Sequence, residues 1–305
     1  MISTIDRKRI YIFVGIAYAI SIALAVVLFL TNAATPLVTG WLGVLMFAPT
    51  VANLYTRAIT REGLSNTLLR PNLRRGWPFY LAALFLPALA ILVGGAIYYL
   101  LFPSRFDPSM TYAREELGMT AVGGATDPWP FIIIQTAYAI ARSLLDIPGP
   151  FGEEFGWRAY LQQKLMPLGP RKAVLLVGAI WAVWHWPAIF FLGFNYGFSY
   201  WGAPVVGPLL FVWCLLPQST FLGWLTLRSG SVWPAAIAHG VNNAVNVLMV
   251  WFFRGPMDPL LDPLIGPSMV GIIGSLGYVV LALPIFFIPG ALAPTAGPRP
   301  VEPNN

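Results

Sequence analysis

The sequence predicts an all-α membrane protein, a polytopic bundle of about eight transmembrane helices with both termini in the cytoplasm. Two observations lead to this fold class. Hydrophobic residues make up 57% of the 305 residues and charged residues only 10%, whereas an ordinary soluble domain carries about 25% charged residues. The chain also contains a series of apolar stretches, each near the roughly 20 helical residues that cross a hydrocarbon core. We therefore expect a multi-pass protein of the cell membrane.

The apolar stretches are expected to be helices, because lipid offers no water to satisfy backbone groups. The alternating pattern of a membrane barrel does not occur along them. The first stretch is too long for the apolar part of a cleavable signal and lacks a cleavage site. The predicted spans cover residues 10–30, 37–56, 78–101, 130–148, 172–192, 204–227, 233–253 and 269–288.

The charged residues alternate between the two sets of connections. Connections on the predicted cytoplasmic side are mostly basic, as the positive-inside rule requires, and they account for the net charge of +6 without any nucleic-acid partner. The opposite side includes one sizeable external loop, residues 102–129, and is mixed in charge. The cytoplasmic set is Arg7, Lys8, Arg9, Arg57, Arg61, Arg70, Arg74, Arg75, Arg158, Lys164, Arg171, Lys172, Arg228 and Arg299.

The fourth span is predicted to be kinked or broken. Arg142 and Asp146 lie one helical turn apart near its cytoplasmic end and can pair. Pro148 and Pro150 then interrupt the helix, and the helical pattern resumes over residues 151–165. Irregular backbone at membrane depth is tolerated only where protein covers it or where it lines a wet cavity.

The resumed helix carries the first polar group, Glu153, Glu154 and Arg158. Glu154 and Arg158 share a helix face at i and i+4 and can form an ion pair. Glu153 points roughly 100° away, so a different environment can prepare it to accept a proton as a general base. The same residues would also fit the charged first turn of an ordinary interfacial helix.

The second and third polar groups contain the two histidines of the chain, His185 and His239, and both lie within predicted spans. Ionisable groups inside a bilayer cost roughly 2.5–3.5 kcal/mol each on insertion scales, so those present are usually functional. His239 and Asn243 share a face, and both side chains can donate hydrogen bonds to a developing oxyanion. Neutral core histidines and interhelical hydrogen bonds are the alternatives, and the tryptophans near His185 are expected to pack rather than to take part in chemistry.

The order of these motifs resembles the CPBP family of intramembrane glutamic proteases. That family comprises the CAAX prenyl endopeptidases and the bacteriocin-processing or self-immunity proteins of bacteria. The resemblance covers about residues 145–250 and involves Glu-Glu-x-x-x-Arg, an aromatic-x-x-x-His and His-x-x-x-Asn. Trp181 replaces the usual phenylalanine of the second motif and Ala159 a frequent glycine, and neither change removes a catalytic group.

The resemblance implies the roles of the polar residues. Glu153 and His185 would activate the attacking water, and His239 and Asn243 would form the oxyanion hole. Glu154 and Arg158 would hold the first motif in position. The reaction would be hydrolysis of a peptide bond in a membrane-associated peptide or protein, with CAAX-type C-terminal processing as the best-known case. No metal and no other cofactor is implied, and no serine or cysteine has the context of a nucleophile.

The hydropathy pattern, the composition and the resemblance together suggest three parts of the chain. Residues 1–129 would hold N-terminal transmembrane helices and the external loop, residues 130–288 the catalytic core, and residues 289–305 a disordered tail rich in proline and alanine.

Two other functions remain open at this point. His185, His239 and a glutamate could form a zinc site of an intramembrane metalloprotease, although no His-Glu-x-x-His motif is present. Alternatively, the chain could be a non-catalytic membrane scaffold or immunity protein, although a scaffold would not need every polar residue of the motifs. A transporter is disfavoured because no inverted pair of broken helices occurs.

Overall fold

The computed structural model describes residues 2–33, 35–115, 118 and 128–294. The regular elements within these ranges are helices, so the predicted all-α class is confirmed. The α-helices are α1 (Thr4–Leu30), α2 (Thr35–Leu45), α3 (Ala48–Ile59), α4 (Leu73–Leu101), α5 (Thr111–Glu115), α6 (Pro128–Ser143), α7 (Pro148–Gly156), α8 (Gln162–Leu165), α9 (Pro170–Trp184), α10 (Trp186–Leu192), α11 (Val206–Ser229), α12 (Trp233–Val245), α13 (Leu248–Trp251), α14 (Asp262–Ile265) and α15 (Leu276–Phe287).

Most of the predicted spans form long apolar helices. Within the described residues, five helices are long and apolar enough to cross a membrane, and a bent pair brings the number to six. The five are Thr4–Leu30, Gly40–Ile59, Leu73–Leu101, Pro170–Leu192 and Val206–Ser229. The total of eight and the cytoplasmic position of both termini stay predictions.

The last two predicted spans are shorter helices than the sequence indicated. The stretch 233–253 divides into α12 and α13, and within 269–288 the helix begins only at Leu276. At the first division, the side-chain oxygen of Asn246 accepts the backbone N–H of Met269 at 2.8 Å and the hydroxyl of Ser268 at 3.1 Å. The segment before α15 contains Gly266, Pro267, Gly271 and Gly274. Such residues favour turns.

The predicted break in the fourth span is confirmed. Helix Trp129–Ser143 and the helical stretch Pro148–Leu168 are bent by 65° relative to each other. Pro148 is the first residue of α7, a position where its missing N–H costs no helical hydrogen bond. The predicted pair of Arg142 and Asp146 lies at the bend, with Nε 2.9 Å from Oδ2.

Helix α3 packs closely against α7, the helix with the two glutamates. A Cβ at Gly156 would lie 2.6 Å from the carbonyl oxygen of Pro49, so the contact requires glycine. Thr50 donates its hydroxyl to the carbonyl of Gly152 at 2.7 Å, and buried Asn53 donates to that of Phe155 at 2.9 Å. Through these contacts, α3 in the N-terminal part of the chain holds α7 in position.

Helices α9, α11 and α12 complete the surroundings of α7. Helix α9 packs on α11, and α12 contacts both α11 and α7. The close approach of α9 and α11 occurs at Gly178, where a Cβ would lie 2.8 Å from Cβ of Ser219. Parts of two predicted segments, residues 116–117 and 119–127 of the external loop and 295–305 of the tail, lie outside the described residues.

Candidate active site

The two adjacent glutamates of α7 are both buried, with 3% of Glu153 and none of Glu154 exposed. Each carboxylate oxygen of Glu154 has its own basic partner, an arginine for one oxygen and a histidine for the other. Its Oε2 accepts a hydrogen bond from Arg158 Nε at 2.8 Å, and its Oε1 lies 3.0 Å from His239 Nδ1. The predicted pair of Glu154 and Arg158 is therefore confirmed, and His239 is added to it.

Arg158 is held by two further contacts. Its Nη1 donates to the hydroxyl of Ser219 at 2.7 Å, and that hydroxyl donates in turn to the carbonyl of Val174 at 2.8 Å. The guanidinium carbon lies 5.1 Å from the centre of the Trp181 ring, within the range of a cation–π contact. Arg158 belongs to a π-helical turn, Trp157–Leu161, a feature frequent at functional sites.

Glu153 has a separate environment, as the sequence predicted. Its Oε2 accepts a hydrogen bond from the indole nitrogen of Trp181 at 2.6 Å. An indole N–H only donates, so this bond occupies lone pairs on Oε2 and none on Oε1. Glu154 has charged partners, whereas Glu153 has a neutral donor, and this difference suits different roles for the two acids.

His185 lies at the end of α9 and is half-buried. Its Nδ1 is 2.8 Å from the backbone carbonyl of Trp181. Because a carbonyl oxygen only accepts, Nδ1 carries a proton, and in the neutral ring Nε2 is the site that can accept one. The ring lies among the aromatic rings of Trp184, Phe211 and Phe194, with centres 4.7, 5.0 and 6.1 Å away.

His239 is 4% exposed and points from α12 towards α7. Because Glu154 is a carboxylate acceptor, Nδ1 of His239 is the donor of the bond between them. The ring centre of His239 lies 5.3 Å from that of Trp181. Trp181 thus contacts both histidines, since its ring centre is 5.8 Å from that of His185.

Trp181 also connects the two predicted water-activating residues. Glu153 receives its indole N–H and His185 binds its backbone carbonyl. In the part of the chain that the structure describes, no hydrogen bond joins Glu153 directly to His185. Their shared action on one water stays a prediction.

Asn243 lies one turn beyond His239 on α12 but is exposed. Its Oδ1 accepts a hydrogen bond from Asn242 Nδ2 at 3.2 Å, and Asn242 itself is buried. Asn243 lines a cleft of about 520 Å³ between the α2–α3 turn, the α6–α7 bend and α12, together with Met46, Ser143 and Pro148. The structure does not bring Asn243 into the buried cluster, and its oxyanion role stays a prediction.

Several residues around the site were not identified from the sequence. Trp181 was expected only to pack, yet its N–H binds Glu153. Its position one turn before His185 on the same face was the available signal. Ser219 and Asn53 also support the motif helix, and their only signal was a polar residue within an apolar span.

The structure offers little for the zinc alternative. Among the described residues, no group of three or more histidine, cysteine, aspartate or glutamate side chains is arranged to hold a metal ion. His239 and Glu154 are bound to each other.

Comparison with known families finds a match over part of the chain. Residues 129–245 match the family described as Rce1-like, the type II CAAX prenyl endopeptidases. All three motifs lie within this segment, so the resemblance to the CAAX protease family is confirmed over it.

One relative is the protein named CAAX prenyl protease 2 of Methanococcus maripaludis. The two sequences are 31% identical over 93 residues, which is 30% of this chain and 34% of the relative. The chain thus matches about a third of the length of that relative.

Proposed function

We propose that the protein is an intramembrane endopeptidase of the cell membrane that uses a glutamate and a histidine to activate water. The observation that carries the proposal is the buried cluster within the segment that matches the CAAX proteases. There, two adjacent glutamates have different partners and two histidines lie within contact of one tryptophan.

In the proposed reaction, Glu153 and His185 prepare the nucleophile. Water loses a proton to one of these groups as its oxygen attacks the carbonyl carbon of the scissile bond. The Nε2 of His185 is the free acceptor of its ring, and Oε1 of Glu153 is the oxygen that Trp181 leaves open. As the tetrahedral intermediate collapses, the C–N bond breaks and the same proton is delivered to the leaving nitrogen. No acyl-enzyme forms, because water itself attacks the carbonyl carbon.

His239 is proposed to stabilise the oxyanion of the tetrahedral intermediate. Its bond to Glu154 fixes the orientation of the ring, and the carboxylate favours the doubly protonated imidazole, whose Nε2–H can donate. Arg158 and Ser219 position Glu154 in turn. Asn243 would supply a second donor from the side of the cleft.

The cleft of about 520 Å³ supports a membrane-associated peptide as substrate. It lies beside the start of α7 and beside α12, the two helices that carry Glu153 and His239. The relative is named CAAX prenyl protease 2, and we propose C-terminal processing of the CAAX type. Lipid is the surrounding partner, and no nucleic acid or cofactor has a part in the proposal.

The test is cleavage of a fluorescence-quenched prenylated CAAX peptide by the purified protein in proteoliposomes. Glu153→Gln and His185→Ala are each expected to lower kcat by about 10²–10⁴-fold, as loss of a general base does. Both variants must still insert and fold. Near-normal turnover by Glu153→Gln would contradict the water-activating role.

Two controls separate the alternatives. A chelator that removes activity, restored by zinc, would favour the metalloprotease. If wild type does not cleave the peptide, membrane peptides from cells with wild-type or Glu153→Ala protein should be compared. Identical peptide sets there would favour the non-catalytic scaffold.

A further inference from the structure

We infer that Trp181 is a positioning residue for the proposed hydrolysis: its indole N–H holds the Glu153 carboxylate in one orientation. The inference rests on the proposed function. It gives the aromatic residue of the second motif a role that is exerted through Glu153.

The contact between Trp181 and Glu153 is short and shielded. Nε1 and Oε2 are 2.6 Å apart, and Trp181 is 2% exposed and Glu153 3%. Hydrogen bonds with an ionised partner are shorter and about twice as strong as neutral ones. Burial strengthens this bond further, because little water competes for either group.

The indole itself has little freedom to move. Its ring lies 5.3 Å from His239 and 5.8 Å from His185, between centres, and the guanidinium carbon of Arg158 lies 5.1 Å from its centre. His185 also binds the carbonyl of the same residue. The direction of the N–H is therefore fixed by packing on several sides.

This arrangement determines which oxygen of Glu153 can meet water. The bond occupies Oε2, and Oε1 is the oxygen that the Trp181 indole leaves open. Without the N–H, the carboxylate could rotate or turn towards Arg158 and His239, the partners of Glu154. The Glu153 carboxylate would then hold the reactive orientation for a smaller fraction of the time, so kcat would fall. Peptide binding in the cleft would not change.

The first experiment removes the N–H group. Trp181→Phe keeps an aromatic ring, and incorporation of 3-benzothienylalanine at position 181 keeps the shape of indole with sulfur in place of N–H. Both are expected to lower kcat by about tenfold to a hundredfold, typical for the loss of a supporting hydrogen bond, with KM unchanged. Fluorotryptophan at the same position keeps the N–H and should restore kcat.

The matched control is Trp213→Phe. The Trp213 indole donates to the hydroxyl of Ser275 at 3.1 Å and is partly exposed on α11, so its loss should leave kcat unchanged. If the benzothienyl protein is folded and cleaves with wild-type kcat, the inference is wrong although the proposed function stands. A wild type that cleaves no peptide counts against the proposed function instead.

A second measurement tests the contact without any activity. The indole ¹H–¹⁵N resonance of Trp181, assigned from Trp181→Phe, should lie downfield in wild type and move upfield in Glu153→Gln, because a neutral amide is a weaker acceptor. A resonance that does not respond to Glu153→Gln would overturn the inference even in a protein with no detected substrate.

Discussion

Two clusters of charged side chains differ in burial, although both involve the helical stretch from α7 to α8. The buried cluster consists of Glu154, Arg158 and His239, and the two members of its ion pair have no exposed side-chain surface. Every contact in it joins defined atoms at 2.8–3.0 Å. The edge cluster, one turn and a half further along the helix, is looser and partly open to solvent.

The edge cluster consists of Asp6, Arg9, Glu62 and Lys164. It joins the start of α1, the α3–α4 connection and α8. Lys164 contacts both Glu62 and Asp6, and Arg9 Nε lies 3.2 Å from Glu62 Oε2. The side chains are 13–27% exposed. Each acid has more than one cation nearby, so the cluster has alternative pairings.

This difference in burial predicts different consequences of substitution. Removal of one partner of a buried pair leaves a charge without compensation, whereas exposed pairs contribute little and are screened by salt. The buried cluster therefore fixes one geometry around Glu153. The edge cluster ties N-terminal helices to the motif helix with redundant contacts.

The largest effect is expected for Arg158→Met. It should lower the free energy of unfolding by about 3–5 kcal/mol, because Glu154 would stay buried without its arginine. Denaturant unfolding in mixed micelles measures the change. The double variant Glu154→Gln/Arg158→Met should recover part of the loss. A single variant as stable as wild type would show that the pair is not buried as described.

The next effect is expected for His239→Ala. It should raise the reaction barrier by about 2.7–4 kcal/mol, as loss of an oxyanion donor does, and the measurement is kcat in proteoliposomes. Asn243→Ala serves as the comparison from the same helix. If both variants lose kcat equally, the exposed asparagine also reaches the reacting carbonyl. If His239→Ala retains kcat, the oxyanion role of the buried cluster is wrong.

The smallest effect is expected for Lys164→Ala in the edge cluster. Its free energy of unfolding should fall by only about 0.2–1 kcal/mol, and less at high salt. Arg142→Ala is the control, since Arg142 and Asp146 are more than half exposed and no measurable change is expected. A loss for Lys164→Ala as large as that for Arg158→Met would remove the distinction between the clusters.

Local features of the site could be predicted from the sequence. The pair of Glu154 and Arg158 follows from i, i+4 spacing, and the break before α7 follows from Pro148 and Pro150. The apolar stretches predicted the helical class, and the motif order predicted the family match over residues 129–245. The ion pair and the break depend on neighbouring residues of the chain, and the family match depends on the order of three such local motifs.

Contacts between helices could not be predicted in this way. The bond of His239 to Glu154 and that of Trp181 to Glu153 join residues 85 and 28 positions apart in the chain. Spacing placed His239 and Asn243 on a common face, yet one is buried and the other lies in the cleft. The position along α12 at which it contacts Glu154 of α7 decides which of the two is covered.

By itself, the sequence determined a helical membrane protein with polar motifs at defined helix positions, because hydropathy and helical periodicity are properties of neighbouring residues. Only the tertiary structure decided which side chains meet: Trp181 with Glu153, His239 with Glu154, and Ser219 with Arg158. The physical reason is that the packing of α7, α9, α11 and α12 sets these distances, and that packing depends on close contacts such as those at Gly156 and Gly178.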